Sequence, residues 1–130
     1  KLALFYNKGL LIIEKESAGH TVVDKISHEH RYINIFKYKE YDQKSGKKGI
    51  REPGWKTTEK SKPIMISDMQ EWIETGQCLV NFKDLLNEMK LFQKLDNSMK
   101  AVSGHDDTVM AFAMAIQGLK SRQYYSPVGR

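Results

Sequence analysis

Two stretches of this sequence hold residues of the types and spacing that could do chemistry. Gly104-His105-Asp106-Asp107 stands almost directly before the apolar run Val109-Met110-Ala111-Phe112-Ala113-Met114-Ala115-Ile116, and Leu10-Leu11-Ile12-Ile13 runs straight into Glu14. A carboxylate held against apolar surface is costly without a partner. A hard divalent cation is a partner that carboxylate oxygens suit. A strand ending in an acid, together with a helix opening on an acid pair, therefore reads as a magnesium or manganese site. Each stretch also has a plainer reading. Aspartate is a good helix cap and acids favour the positive end of the helix dipole, while a glutamate at a strand end is commonly a solvated edge residue. A cap alone does not account for the helix that follows Asp107. That run is apolar nearly all round, which predicts that it lies against a sheet with Asp107 near strand ends.

Other residues carry weaker chemical signals. His20, His28 and His30 lack zinc-like spacing and thiolate partners, which argues against a zinc site. Trp55 and Trp72 read as packing residues. The basic stretch Lys44, Lys47, Lys48, Arg51, Lys56, Lys60 and Lys62 reads either as a solvated loop or as a contact to a phosphate backbone through its Gly54-Trp55-Lys56-Thr57 core. No glycine-rich phosphate loop and no serine–histidine–aspartate arrangement is present, so an ATP site and acyl transfer have no support.

The elements that must position these residues alternate between helix and strand. A chain of 130 residues with 40% hydrophobic and 28% charged residues has the length and composition of one globular domain with a real core. Net charge is +5, which favours polyanionic partners. The single cysteine, Cys78, forms no internal disulfide and fits a reducing compartment. No apolar run is long enough to span a membrane. Residues 2–7 read as a last helical turn closed by Gly9, and the chain as a fragment or processed piece. Residues 10–15 read as a strand buried on both faces, 20–29 as a helix, and 32–38 as a strand. Residues 42–62 read as a long loop or hairpin tip. Pro63 to Glu74 is predicted as a helix with Ile64, Ile66, Met69, Trp72 and Ile73 on its apolar face and Gly76 as its stop. Leu79–Phe82 is predicted as a short strand and Asp84–Leu95 as an amphipathic helix. A polar loop from Asp96 leads to Gly104, a last helix runs from about Asp106 to Arg122, and residues 125–130 read as a disordered tail. Together these predict an α/β layered domain.

Four ordered features resemble one family. Phe5-Tyr6-Asn7 precedes a strand ending in Glu14; Gly19-His20-Thr21-Val22 opens a helix; Gly54-Trp55-Lys56-Thr57 precedes a Lys62-Pro63 helix start; and Gly104-His105-Asp106-Asp107 precedes Val109-Met110-Ala111. In this order they resemble the C-terminal nuclease domain of tailed-phage terminase large subunits, over nearly the whole of residues 1–130. The resemblance implies a ribonuclease-H-like fold with a central mixed sheet flanked by helices, lacking its first strands in this chain. It implies a metal-dependent endonuclease that cuts concatemeric double-stranded DNA during genome packaging in the bacterial host cytoplasm. Its partners would be an ATPase domain in the same protein, the portal and the small terminase subunit.

The family's chemistry uses three acids and two divalent cations about 4 Å apart, one activating water and one stabilising the leaving oxygen. By resemblance Glu14 is the second acid and Asp107 the third, with Asp106 as the alternative, binding magnesium or manganese. His105 orients a carboxylate or touches the scissile phosphate. The first acid belongs on an earlier strand that this sequence lacks. Weak or absent cutting by residues 1–130 is therefore expected, as is self-association through the strand edge left open. Lys47, Lys48, Arg51, Lys56 and Lys60 are the expected DNA contacts. Two other readings stay open: a resolvase or integrase-like enzyme of the same fold, and a non-catalytic DNA-binding or assembly module.

Overall fold

A computed structural model of the chain describes residues 1–16, 18–39, 51–95, 98–101 and 107–122. It is mixed helix and strand, and it divides into two compact units, one holding Lys1–Thr57 and the other Thr58–Lys120.

The first unit opens with a single turn, α1 (Leu2–Phe5). Its stop is not Gly9. Asn7 and Lys8 take the left-handed conformation (φ 53° and 57°), and the Gly9 amide then donates back to the Ala3 carbonyl at 3.2 Å. Asparagine tolerates that conformation better than most residues, so the helix is closed before glycine is reached. Helix α2 (Gly19–Asp24) continues into a π-helical turn at Lys25–Glu29, which together match the helix expected over 20–29. The hairpin strands β1 (Lys37–Lys39) and β2 (Arg51–Pro53) pair antiparallel with Lys37 opposite Pro53. The expected strand over 32–38 is thus mostly extended chain, joining the ladder only at its end.

Residues 10–15 differ from the fully buried strand predicted for them. They are extended and half-buried, and they pair through isolated parallel bridges, Leu11 with Ile35 and Glu14 with Trp55. The partner changes midway because Gly54, at φ +100°, turns the chain out of the β1–β2 ladder. Trp55 then runs parallel to residues 13–15, donating its amide to the Ile13 carbonyl (2.7 Å) and accepting from the Lys15 amide (2.8 Å). A side chain at residue 54 would meet Lys15 Cγ at 2.8 Å and the Ile13 carbonyl at 3.1 Å, so glycine is needed for space as well as for φ. Val23, Ile35, Phe36 and Trp55 form this unit's buried core. The Trp55 ring lies 5.5 Å from both Phe36 and Tyr38.

Among the described residues the second unit is built on three helices. Helix α3 (Ser61–Glu74) starts two residues before Pro63, where the missing amide costs nothing because the first turn has no acceptor for it. Thr58 and Ser61 exchange reciprocal bonds at this end, each amide donating to the other's hydroxyl oxygen (2.8 and 3.0 Å). Gly76, at φ +69°, ends the helix as predicted. The apolar face is rotated from the expected one, with Met65 buried beside Ile66 and Met69 while Ile64 is 60% exposed. Leu79–Phe82 is not a strand among the described residues; Leu79 and Phe82 are 82% and 55% exposed. A four-residue segment with three apolar side chains cannot by itself secure a ladder partner.

Helix α4 spans Lys83–Leu91 rather than running to Leu95. Phe92 turns extended, and β3 (Phe92–Leu95) pairs antiparallel with β4 (Ser98–Ala101), Leu95 opposite Ser98. Part of the expected polar loop is therefore strand. Asp96-Asn97, lying between the two strands, are residue types that favour turns. Helix α5 (Asp107–Ser121) buries Val109, Met110, Ala113, Met114 and Ile116, leaving Ala111, Ala115 and Leu119 exposed. It is apolar on nearly every side yet buries only one of them, and among the described residues two of its polar contacts run to α3 and α4. Gln117 donates to Asp68 at 2.7 Å and the Thr108 amide to Glu88 at 3.2 Å. Among the described residues the named strands form two antiparallel pairs, β1–β2 and β3–β4, and residues 10–15 join the neighbourhood of the first through parallel bridges. The tail over 125–130 lies outside the described residues.

Candidate functional site

Glu14 belongs to the first unit and is set by its neighbours from three directions. Its backbone lies opposite Trp55 in the parallel bridge. On its carbonyl side the start of α2 approaches so closely that a Cβ at Gly19 would fall 1.7 Å from the Glu14 oxygen, so only glycine fits there. On its side chain, the Thr57 hydroxyl donates to Glu14 Oε1, across 43 residues of sequence. The pair is part-buried.

The surroundings reinforce this arrangement. Lys15 Nζ lies 2.5 Å from Glu52 Oε2, with the lysine side chain only 14% exposed. That hydrogen bond and charge hold the Glu52 carboxyl below its ordinary value, with Lys15 the leading cause and His20 and Lys56 adding to it. Tyr32 donates its hydroxyl to the Gly9 carbonyl at 2.6 Å, and burial raises its pKa. The Trp55 indole nitrogen is buried with no hydrogen-bond partner among the described residues. An open cleft of about 390 Å³ in the same unit is lined by Leu2, Leu4, Leu11, Ile26, His30 and Tyr32 among others. Its described lining holds no carboxylate, so it does not suit a cation.

Asp107 belongs to the second unit, exposed in the first turn of α5. The adjacent amide, that of Thr108, is satisfied by Glu88 of α4, an acid that the sequence alone does not connect with this helix. His105 and Asp106 lie outside the described residues, as do Lys47 and Lys48. Arg51 opens β2, Lys56 is exposed in the first unit, and Lys60 is exposed just before α3 in the second.

Among the described residues, no three or more histidine, cysteine, aspartate or glutamate side chains come together to hold a metal ion. The described residues therefore do not by themselves make a metal site. What they do make is a carboxylate of suitable donor chemistry, Glu14, held in place by a neutral hydroxyl. No helix among them is long and apolar enough to cross a membrane. Neither a protein-family model nor a curated protein matches the chain.

The residue that sequence reasoning missed is Thr57. It was visible only as the end of a glycine–tryptophan–lysine–threonine stretch read for phosphate contact. No periodicity links positions 14 and 57; only the turn at Gly54 does.

Proposed function

We propose that this chain is the DNA-cutting domain of a phage or prophage terminase large subunit, a metal-dependent endonuclease of ribonuclease-H-like fold acting on double-stranded DNA. One observation carries the reading. Two of the four stretches that bear the resemblance, the strand ending in Glu14 and Gly54-Trp55-Lys56-Thr57, meet at the carboxylate that the chemistry requires. A solvated edge glutamate would not need a bridge to a buried tryptophan, a hydroxyl donor and a glycine pressed against its carbonyl.

In this reading Glu14 is a ligand for magnesium or manganese; the further acid, Asp107 or Asp106, and His105 at the phosphate or a carboxylate are roles that the resemblance alone supplies. The bound cations would activate water and stabilise the leaving oxygen of the phosphodiester. The protein's own contribution is to hold Glu14 in one orientation before DNA arrives, which is the requirement for a precise site. Contacts from Lys47, Lys48, Arg51, Lys56 and Lys60 to phosphates would give affinity with little sequence preference. The ATPase domain, portal, small terminase subunit and bacterial cytoplasm follow from the same proposal.

Calorimetric titration of manganese into the chain, alongside Asp107→Asn, tests it. Binding that the variant loses supports the nuclease reading. Binding that the variant leaves unchanged refutes the role given to Asp107.

A further inference from the structure

We infer that Thr57 is a positioning residue for Glu14, fixing which way the carboxylate faces; this rests on the nuclease reading above. The hydroxyl of Thr57 donates to Glu14 Oε1, and both side chains are part-buried. A carboxylate offers about four acceptor sites on its two oxygens. A single neutral donor therefore orients the group without using up the oxygens or neutralising the charge that a cation needs. A lysine or arginine in the same place would do both. Thr57 is itself held by its route: Gly54 turns the chain and Trp55 is bonded to residues 13 and 15 on either side of Glu14. The buried Trp55 ring anchors that strand, and the hydroxyl follows two residues later. Groups that hold a metal ligand from behind typically change metal affinity by about 10- to 100-fold when removed.

The experiment compares wild type, Thr57→Val, Thr57→Ser and Glu14→Gln by manganese titration, with thermal melting of each followed by circular dichroism. Valine keeps the shape of threonine and removes the donor; serine keeps the donor. Manganese affinity about tenfold weaker in Thr57→Val, near wild type in Thr57→Ser, and lost in Glu14→Gln, with similar melting curves, supports the assignment. Wild-type affinity in Thr57→Val while Glu14→Gln loses binding overturns the role of Thr57 and leaves the nuclease reading standing. Equal loss in Thr57→Val and Thr57→Ser also overturns it, because the hydroxyl would not be the cause. Absence of manganese binding by the wild-type chain, or binding that Glu14→Gln does not change, overturns Glu14 as a ligand and this inference with it.

Discussion

Replacing Asp68 should loosen α5, the helix that carries Asp107, by an amount that depends on pH. Asp68 lies in the middle of α3 and engages two side chains of α5. Oδ2 accepts from Gln117 Nε2 at 2.7 Å, and Oδ1 lies 2.5 Å from Lys120 Nζ. A hydrogen bond to a charged group contributes about 1.5–3 kcal/mol net. The ion pair adds no more than about 0.2–1 kcal/mol, because the Lys120 side chain is 38% exposed. Asp68→Ala removes both and should cost about 2–4 kcal/mol at pH 7. Asp68→Asn keeps an acceptor for Gln117 and loses the charge, so about 1 kcal/mol is expected.

The pH dependence has a definite sign. Burial pushes the Asp68 carboxyl up, but the Gln117 amide and the Lys120 ammonium together outweigh it and hold the group below its ordinary value. A depressed carboxyl stabilises the fold fully above its unfolded pKa, about 3.9. That contribution is lost as pH falls through the lower folded value. Urea denaturation followed by circular dichroism should therefore show a gap between wild type and Asp68→Asn that is constant from pH 7 to 5 and closes below pH 4. An Asp68→Ala variant as stable as wild type at pH 7, or an Asp68→Asn gap undiminished near pH 2, would refute the reasoning.

Other outcomes follow from the packing and the charges. Met65→Ala, at a side chain only 1% exposed, should cost about 2–5 kcal/mol; a denaturation midpoint unchanged from wild type would show that α3 is not the helix buried here. Gly54→Ala places a Cβ against Lys15 at φ +100° and should destabilise by about 1–3 kcal/mol, measurable as earlier melting, whereas Gly76→Ala meets no neighbour within 4 Å and carries only the strain of its φ. Replacing Lys47, Lys48 and Lys56 together by alanine should weaken DNA binding and flatten its salt dependence, and an unaltered slope in a filter-binding titration would remove these lysines from the interface.

Local chemistry alone made several features legible. Gly76 stops α3 because only a residue at ease with positive φ ends a helix that way. The run from Val109 is long enough for its helical character to outweigh any competing pattern, and Glu14 and Asp107 stand out because acids bordering apolar runs need a reason. Short segments were decided by tertiary pairing. Leu79–Phe82 and Phe92–Leu95 are both brief and apolar at their ends, yet only the second found a partner, Ser98–Ala101, and left its helix for a ladder. Residues 10–15 read as a strand buried on both faces, but their partners, Ile35 and Trp55, lie 24 and 41 residues away from Leu11 and Glu14 and are brought up by a hairpin and a glycine turn. The same turn delivers Thr57 to Glu14. The sequence by itself determined which carboxylates border apolar runs and which long segments are helical, because composition and periodicity act within a few residues. Only the tertiary structure decided which hydroxyl holds Glu14 and which acid satisfies the first turn of α5, because those contacts depend on where distant backbone is carried.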